Sequence, residues 1–209
     1  SLAGKRVAVI GTGASAFQLV PEVAREAAHV YTFQRTPQWM FPNPDYHRQV
    51  SEGARWCFRH LPFYGRWYRF LLFWPATDGT WEGTFIDPEW PHQERSANAI
   101  NEMTREMFTG WIRQQCGDDE ALFQRVLPKY PPIARRTLQD NGSWLQALRR
   151  DNVTLVDQEV AALTETAVRA GDGTEYPVDV IVYATGFQAN KFLWPMEITG
   201  RNGVKLAEQ

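Results

Sequence analysis

The chain has 209 residues, of which 44% are hydrophobic and 22% charged, and its net charge is −2 at pH 7. This length and composition predict a globular protein with one substantial core, and the near-neutral charge without a long basic stripe argues against a nucleic-acid-binding protein. The two cysteines, Cys57 and Cys116, form no Cys-x-x-Cys pair, so we expect neither a disulfide framework nor a zinc site, and we predict a reducing, cytoplasmic location.

The first 33 residues have a pattern typical of a dinucleotide-binding unit. Residues 5–10 form an apolar run that predicts a buried strand, and the turn Gly11-Thr12-Gly13 follows it. Apolar residues then recur at helical spacing over 16–23, and residues 29–33 form a second β-like run. Such glycines let backbone N–H groups approach a pyrophosphate at the positive end of a helix. The segment therefore predicts a dinucleotide site, although a turn that serves packing alone would also use glycines.

The residues after the second run indicate which dinucleotide is bound. An NAD site places Asp or Glu at this position to accept a hydrogen bond from the ribose 2′-hydroxyl, whereas this chain has Arg35 and Thr36. A guanidinium group can pair bidentately with a phosphate, so these residues favour NADP. Arg35 as a solvated charge at the end of a strand is the alternative.

A proline-rich stretch then begins an insertion. Pro37, Pro42 and Pro44 interrupt regular structure, residues 46 to about 74 have a mostly helical pattern, and a Pro/Gly-rich connection covers 75–91. A further helix is predicted from apolar residues that recur every three or four positions. These residues are Ile100, Met103, Met107 and Trp111.

The insertion is rich in aromatic residues. The chain has nine Trp and twelve Phe, concentrated between residues 39 and 111, which predicts either the core of a helical lobe or a surface that docks against another structure. Gly117 is predicted to end one helix and Asp118-Asp119 to cap the next. Residues 130–132, Tyr-Pro-Pro, mark the return from the insertion.

The last part of the chain predicts one helix and several strands. A helix is expected over 140–150, and Gly171-Asp172-Gly173 is a hairpin turn signal. The whole order of elements predicts an α/β, Rossmann-type, three-layer dinucleotide-binding domain with a central parallel sheet, a β-hairpin excursion and a helical insertion. The expected strands in this part are residues 153–156, 160–163, 166–169 and 178–184.

Several motifs together resemble the NADPH domain of Baeyer–Villiger monooxygenases, nearest to the 4-hydroxyacetophenone monooxygenase type. The last strand ends in Ala184-Thr185-Gly186-Phe187, which is similar to the motif that closes the NADP domain of flavoprotein monooxygenases with two dinucleotide sites. The resemblance covers nearly the whole chain, with a looser match in the insertion. The other matching segments are residues 4–18, 34–39, 130–136 and 140–144.

The resemblance implies a set of cofactor-binding residues. The glycine turn would hold the NADP pyrophosphate, and the Arg-Thr pair would hold the adenosine end. Arg135 stands where the family usually has a Lys that helps to bind the 2′-phosphate, and Arg keeps the charge but loses the compact ammonium group. The implied NADP-binding residues are Gly11, Thr12, Gly13, Ala14, Ser15, Gln18, Arg35, Thr36, Arg135, Ala184, Thr185 and Gly186.

The resemblance also implies the reaction and one catalytic residue. By position, Arg136 is similar to the active-site arginine of the family, whose fixed charge would stabilise negative charge on oxygen during the oxidation of a small ketone to an ester or lactone. A loop arginine that caps a helix or pairs with surface carboxylates is the alternative.

A second cofactor is implied as well. Family members bind FAD through a separate glycine fingerprint, which these 209 residues do not contain, so we expect the FAD domain to be missing and the chain to be inactive by itself. The expected divisions are an NADP-binding domain over 1–40 and 128–190, a helical insertion over 41–127, and the start of the return to the FAD domain over 191–209.

Two other functions stay open, and three are poorly supported. A flavin-dependent N-oxygenating monooxygenase shares the general plan, and a non-catalytic NADP-sensing or interaction module would also need this site. A short-chain reductase needs Tyr-x-x-x-Lys and a serine hydrolase Gly-x-Ser-x-Gly, and neither motif occurs. The four histidines lack metal-ligand spacing, so no metal is expected, and the apolar run Phe70–Trp74 is too short to span a membrane.

Overall fold

A computed structural model describes residues 1–188, 193 and 195–206 of the chain. The strands are β1 (Arg6–Ile10), β2 (His29–Phe33), β3 (Met40–Pro42), β4 (Leu138–Asp140), β5 (Val153–Val156), β6 (Val160–Leu163), β7 (Ala167–Ala170), β8 (Glu175–Pro177) and β9 (Val180–Tyr183). The α-helices are α1 (Ala14–Glu26), α2 (Glu52–His60), α3 (Tyr64–Phe73), α4 (Asp78–Trp81), α5 (Ala99–Cys116), α6 (Glu120–Val126) and α7 (Ser143–Leu148).

The centre of the fold is a parallel sheet of four strands in the order β5-β2-β1-β9. Val7 of β1 lies in register with Val30 of β2 on one side and with Val180 of β9 on the other. Val7, Ala8 and Val9 are fully buried, because both faces of a parallel sheet are covered by other elements. The predicted α/β fold with a central parallel sheet is confirmed.

Different layers cover the two faces of this sheet. Helices α1 and α7 pack on one face, where the rings of Phe17 and Trp144 stack with their centroids 5.1 Å apart. An antiparallel sheet of three strands, β6-β7-β8, covers the other face, where Tyr176 lies edge-on against Phe33. The predicted turn at 171–173 joins β7 to β8. Strand β8 was not expected from the sequence, because it has only three residues and ends in Pro177, a residue that is unfavourable within strands.

The aromatic-rich helices are not the core of a lobe. No residue of α2, α3 or α4 is buried, and the exposed fractions of Trp67 and Phe73 are both 64%. Prediction of the α5 helix is confirmed. Of its predicted apolar stripe, Ile100, Met103 and Met107 are exposed, with Met103 at 69%, and only Trp111 packs against the core, whereas Phe108 and Ile112 are buried in it. Within the described residues, no helix combines the length and the apolar character needed to cross a bilayer.

The parallel pair β3 and β4 joins the start of the predicted insertion to a segment that follows it. Met40 lies in register with Leu138, and the Leu138 N–H donates to the Trp39 carbonyl oxygen at 2.9 Å. Residues that are about a hundred positions apart are thereby brought together in a separate sheet of two strands. Neither strand was predicted, because a three-residue strand leaves almost no periodicity in the sequence.

The predicted helix over 140–150 begins later, at Ser143, because Asp140 belongs to β4. Its buried carboxylate accepts hydrogen bonds from the Trp111 indole at 3.0 Å, the Gln115 amide at 2.9 Å and the Gly142 N–H at 3.0 Å. Asp140 therefore connects α5 to the start of α7. Asp119 caps α6 through the Leu122 N–H, as the sequence indicates.

The amino-terminal ends of β1 and β9 are joined by an ion pair. The Asp179 carboxylate accepts from the Arg6 backbone N–H at 2.8 Å and from the Arg6 guanidinium at 2.8 and 3.1 Å. These hydrogen bonds hold the pKa of Asp179 well below its usual range.

We expect this ion pair to make the stability of the fold depend on pH under acidic conditions. The folded-state pKa of Asp179 lies below the unfolded value of about 3.9, so its contribution is complete above that pH and is lost as the pH falls below it. Thermal melts should show a higher Tm for the chain than for Asp179→Asn at neutral pH, and the difference should shrink as the pH falls below about 4.

Asp151→Asn is the matched control, because Asp151 is exposed and makes no ion pair within the described part of the chain. A Tm difference between the chain and Asp179→Asn that stays constant down to pH ~2 would contradict this account.

Candidate functional site

A cavity of about 680 Å³ lies at the carboxyl ends of β1, β2 and β9. Ligands of open α/β sheets bind at this edge, because the loops that follow parallel strands converge there. All but one of the site residues predicted from the sequence line this cavity. They are Gly11, Thr12, Gly13, Ala14, Ser15, Arg35, Thr36, Arg135, Arg136, Ala184, Thr185 and Gly186.

Gly11 forms the floor of the cavity between the two neighbouring strands. Its N–H donates to the Phe33 carbonyl oxygen at 3.0 Å, and the Ala184 N–H donates to the Ile10 carbonyl oxygen at 2.9 Å. Its φ is +111°, and a Cβ atom at this position would lie 2.5 Å from the Ala184 carbonyl oxygen. Only glycine fits, because both the backbone conformation and the close approach of β9 exclude a side chain.

Gly13 has a different role at the start of α1. It is the N-cap residue with an extended backbone, and a Cβ atom built there meets no atom within 4 Å. No side chain caps α1, and its first turn holds no acidic residue. The free N–H groups of this turn carry the positive end of the helix dipole, so the open space in front of Gly13 suits an anion.

The segment after β2 is fixed to the glycine turn. The Thr12 hydroxyl, which is 5% exposed as a residue, donates to the Thr36 carbonyl oxygen at 3.1 Å, and the Gln38 amide donates to the same oxygen at 2.9 Å. These hydrogen bonds set the position of Arg35 and Thr36 relative to the turn.

Three arginines reach the cavity without neutralising partners. Arg35, Arg135 and Arg136 are exposed, and within the described residues none of them forms an ion pair. Arg135 lies against the Tyr130 ring, with its guanidinium carbon 4.9 Å from the ring centroid. Glu159 also lines the cavity, and the three guanidinium groups outnumber it, so this edge is suited to a ligand with several negative charges.

The loop that carries Arg135 and Arg136 is strained and anchored. Ile133 has a φ of +67°, which is rare for a β-branched residue. Hydrogen bonds fix the preceding residues: the buried Asn101 amide donates to the Pro132 carbonyl oxygen at 3.0 Å, and the Trp39 indole donates to the Tyr130 carbonyl oxygen at 2.8 Å. Asn101 of α5 and Trp39, which precedes β3, thus fix the segment that leads to this pair of arginines.

Gln18 is the predicted residue that the structure does not bring to the cavity. Its amide donates to the Ala14 carbonyl oxygen at 3.1 Å, one turn earlier in α1, so its role stays a prediction. Sequence reasoning missed Gln38, Gln158 and Glu159, which also line the cavity. The last two come after β5 and Asp157, and the position of β5 beside β2 could have indicated them.

Comparisons with curated proteins find relatives along nearly the whole chain, although no protein-family model matches it. An uncharacterized monooxygenase of Sinorhizobium fredii is 40% identical over 203 residues, which are 97% of this chain and 30% of that protein. A Baeyer–Villiger monooxygenase of Pseudomonas aeruginosa is 34% identical over 207 residues, 99% of this chain and 36% of that protein. An FAD-binding monooxygenase of Aspergillus niger is 31% identical over 214 residues, 98% of this chain and 31% of that protein.

Baeyer–Villiger and FAD-binding monooxygenases are homologues of this chain. The chain spans about a third of the length of these curated relatives, with 30%, 36% and 31% covered.

Solved structures show the same fold. OTEMO in complex with FAD and NADP has a TM-score of 0.74 and 26% identity, over 100% of this chain and 43% of that one. Oxidized steroid monooxygenase bound to NADP has a TM-score of 0.69 and 27% identity, over 99% of this chain and 44% of that one. The curated relatives and the steroid monooxygenase structure are therefore all monooxygenases.

Two glycine substitutions should differ in their effect on stability, because Gly11 lies on the floor of the cavity and Gly13 faces its open side. Gly11→Ala should lower the free energy of unfolding by about 3 kcal/mol, because the methyl group overlaps the Ala184 carbonyl oxygen and φ is positive. Gly13→Ala should lower it by less than about 1 kcal/mol, since its methyl group enters open space. Urea unfolding of both variants measures the difference, and equal losses would show that the approach of β9 to Gly11 is not the constraint.

Proposed function

We propose that this chain is the NADP(H)-binding part of an FAD-dependent Baeyer–Villiger monooxygenase, which inserts one oxygen atom of O2 into a ketone to give an ester or lactone. The observation that carries the proposal is the cavity itself, in which a glycine turn, the start of α1 and three arginines that form no ion pair with the described residues meet. The homology to Baeyer–Villiger monooxygenases supports the same conclusion.

The residues of the cavity fit NADP. The space in front of Gly13 and the uncapped first turn of α1 would accept the pyrophosphate. Arg35 and Thr36 follow β2, which is where a dinucleotide fold contacts the adenosine ribose, and Arg135 lines the same cavity. Two guanidinium groups would neutralise the negative charge of the 2′-phosphate of NADP, whereas NAD has an uncharged 2′-hydroxyl at this position.

Arg136 is our candidate for a catalytic residue. It lines the cavity beside Arg135, and it forms no ion pair with the described residues, so its charge is available to a ligand. A fixed guanidinium group favours the negatively charged form of an oxygen atom placed next to it. Arg136 would therefore hold negative charge on oxygen while the ketone is attacked.

The reaction also needs a second cofactor that this cavity does not hold. When bound, NADPH supplies a hydride and FAD activates O2. We propose that FAD is held by another part of the protein in cis, since the second Gly-x-Gly turn of the chain, Gly171-Asp172-Gly173, joins the antiparallel strands β7 and β8 and does not lead into a helix. The chain alone is then inactive. The substrate of the complete enzyme is a small ketone, and the location of the enzyme is cytoplasmic. The finer assignment to the 4-hydroxyacetophenone type is supported by the sequence segments named above.

Cofactor preference tests the adenosine end of this proposal. Isothermal titration should show that the chain binds NADP+ roughly 10- to 100-fold more tightly than NAD+, the range expected for hydrogen bonds to a charged group. Arg35→Ala should remove about tenfold of the NADP+ affinity and leave NAD+ binding nearly unchanged. Arg59→Ala is the matched control, because Arg59 is an exposed α2 residue outside the cavity. Equal affinities for the two nucleotides would refute the NADP assignment.

The role of Arg136 is tested in the enzyme that contains this chain together with its FAD-binding part. Arg136→Ala should still allow NADPH to reduce the flavin, but ester formation should fall by roughly 100-fold or more, the size of effect seen when one oxyanion-stabilising donor is removed. Arg136→Lys should recover part of the ester formation, because it restores the charge without the planar group. Product analysis that finds undiminished ester in Arg136→Ala would exclude the catalytic role.

A further inference from the structure

The arginine that replaces the expected lysine has an unusual partner. Arg135 is exposed and has no carboxylate partner within the described residues, yet its guanidinium carbon lies 4.9 Å from the centroid of the Tyr130 ring. A free arginine loses considerable side-chain entropy when a ligand orders it, and contact with an aromatic face reduces that loss before binding. Arg makes such contacts with an aromatic face more often than Lys does.

The same tyrosine also contacts the other arginine-bearing segment. The Tyr130 hydroxyl donates to the Pro37 carbonyl oxygen at 3.2 Å, two residues after Arg35. Burial raises the pKa of the Tyr130 phenol, so the phenol is protonated and can donate at neutral pH. The Thr36 carbonyl oxygen is already held by Thr12 and Gln38, so the hydroxyl adds a third fixed point to this segment.

Tyr130 itself is held in place by the fold. Its carbonyl oxygen accepts from the indole of Trp39, which is 1% exposed, and the two rings meet edge-on with centroids 6.4 Å apart. Its ring and hydroxyl therefore act from a rigid position on two loops that come from opposite ends of the insertion.

We propose that Tyr130 is a positioning residue that sets Arg135 and the Arg35 segment against each other, so that both guanidinium groups close on the 2′-phosphate of NADP. This inference rests on the proposed function and adds a determinant of its cofactor selectivity. The hydroxyl fixes the Arg35 side, and the ring fixes the Arg135 side.

Two fragments of the cofactor serve as probes. Adenosine 2′,5′-bisphosphate carries the phosphate in question, and 5′-AMP lacks it, so the ratio of their Kd values isolates the 2′-phosphate. Tyr130→Phe should weaken binding of the bisphosphate by about 3- to 10-fold through loss of one hydrogen bond. Tyr130→Leu should weaken it by about 10- to 50-fold, because the ring contact is lost as well. Binding of 5′-AMP should change by less than about twofold in both variants.

Two controls separate positioning from general stability. Tyr68→Phe removes the hydroxyl of an exposed α3 tyrosine outside the cavity and should change neither Kd. In an Arg135→Ala background, Tyr130→Leu should weaken binding of the bisphosphate no more than Tyr130→Phe does, because the ring no longer has a guanidinium group to hold. Tyr130→Phe keeps the ring packed on Trp39, so it tests the hydroxyl even if Tyr130→Leu fails to fold.

The outcomes are distinguishable. If the unmodified chain does not prefer the bisphosphate to 5′-AMP, the NADP assignment fails and the role of Tyr130 fails with it. If the unmodified chain shows the preference and both Tyr130 variants retain it, or if they weaken both probes equally, only the positioning role is overturned.

Discussion

The candidate site depends on the close approach of three strands at Gly11. Strand β1 lies between β2 and β9, and Gly11 follows it directly. Because Gly11 has no side chain, its backbone fits between the carbonyl groups of Phe33 and Ala184. A side chain would push β9 away, because a Cβ atom there would lie 2.5 Å from the Ala184 carbonyl oxygen. This approach places the turn before α1, the segment after β2 and the segment after β9 around one cavity. The arginines and the helix end can act on one ligand only because these segments converge.

The parts of the fold that depend on local sequence were predictable. The run over 5–10, the glycine turn and the run over 29–33 carry strong periodic signals, and the structure forms β1, α1 and β2 from them. Part of the chemistry of the cavity followed from the same segments, because Gly11 comes directly after β1 and Arg35 comes two residues after the end of β2. The cofactor-binding and catalytic roles of these residues stay predictions.

The parts that depend on contacts distant in sequence were not predictable. Strands β3 and β4 are short, and among the described strands they pair with each other alone, so neither shows a recognisable pattern by itself. The stripe that contains Met103 has perfect helical spacing, yet α5 turns Phe108 and Ile112 to the core, because Trp39 lies on that side. The contacts of Tyr130 with Arg135 and with the Pro37 carbonyl oxygen likewise depend on how the insertion closes. Periodicity identifies an element, whereas the partner of each face is a tertiary property.

We propose above all that one cavity binds the whole dinucleotide, with its pyrophosphate at the glycine turn and its 2′-phosphate at the arginines. A crystal structure of the chain with NADP+ tests this most directly. We predict pyrophosphate oxygens within hydrogen-bond distance of N–H groups in the first turn of α1, and 2′-phosphate oxygens within the same distance of the guanidinium groups of Arg35 and Arg135. A nucleotide bound in the reverse orientation, or outside the cavity between β1, β2 and β9, would contradict the account.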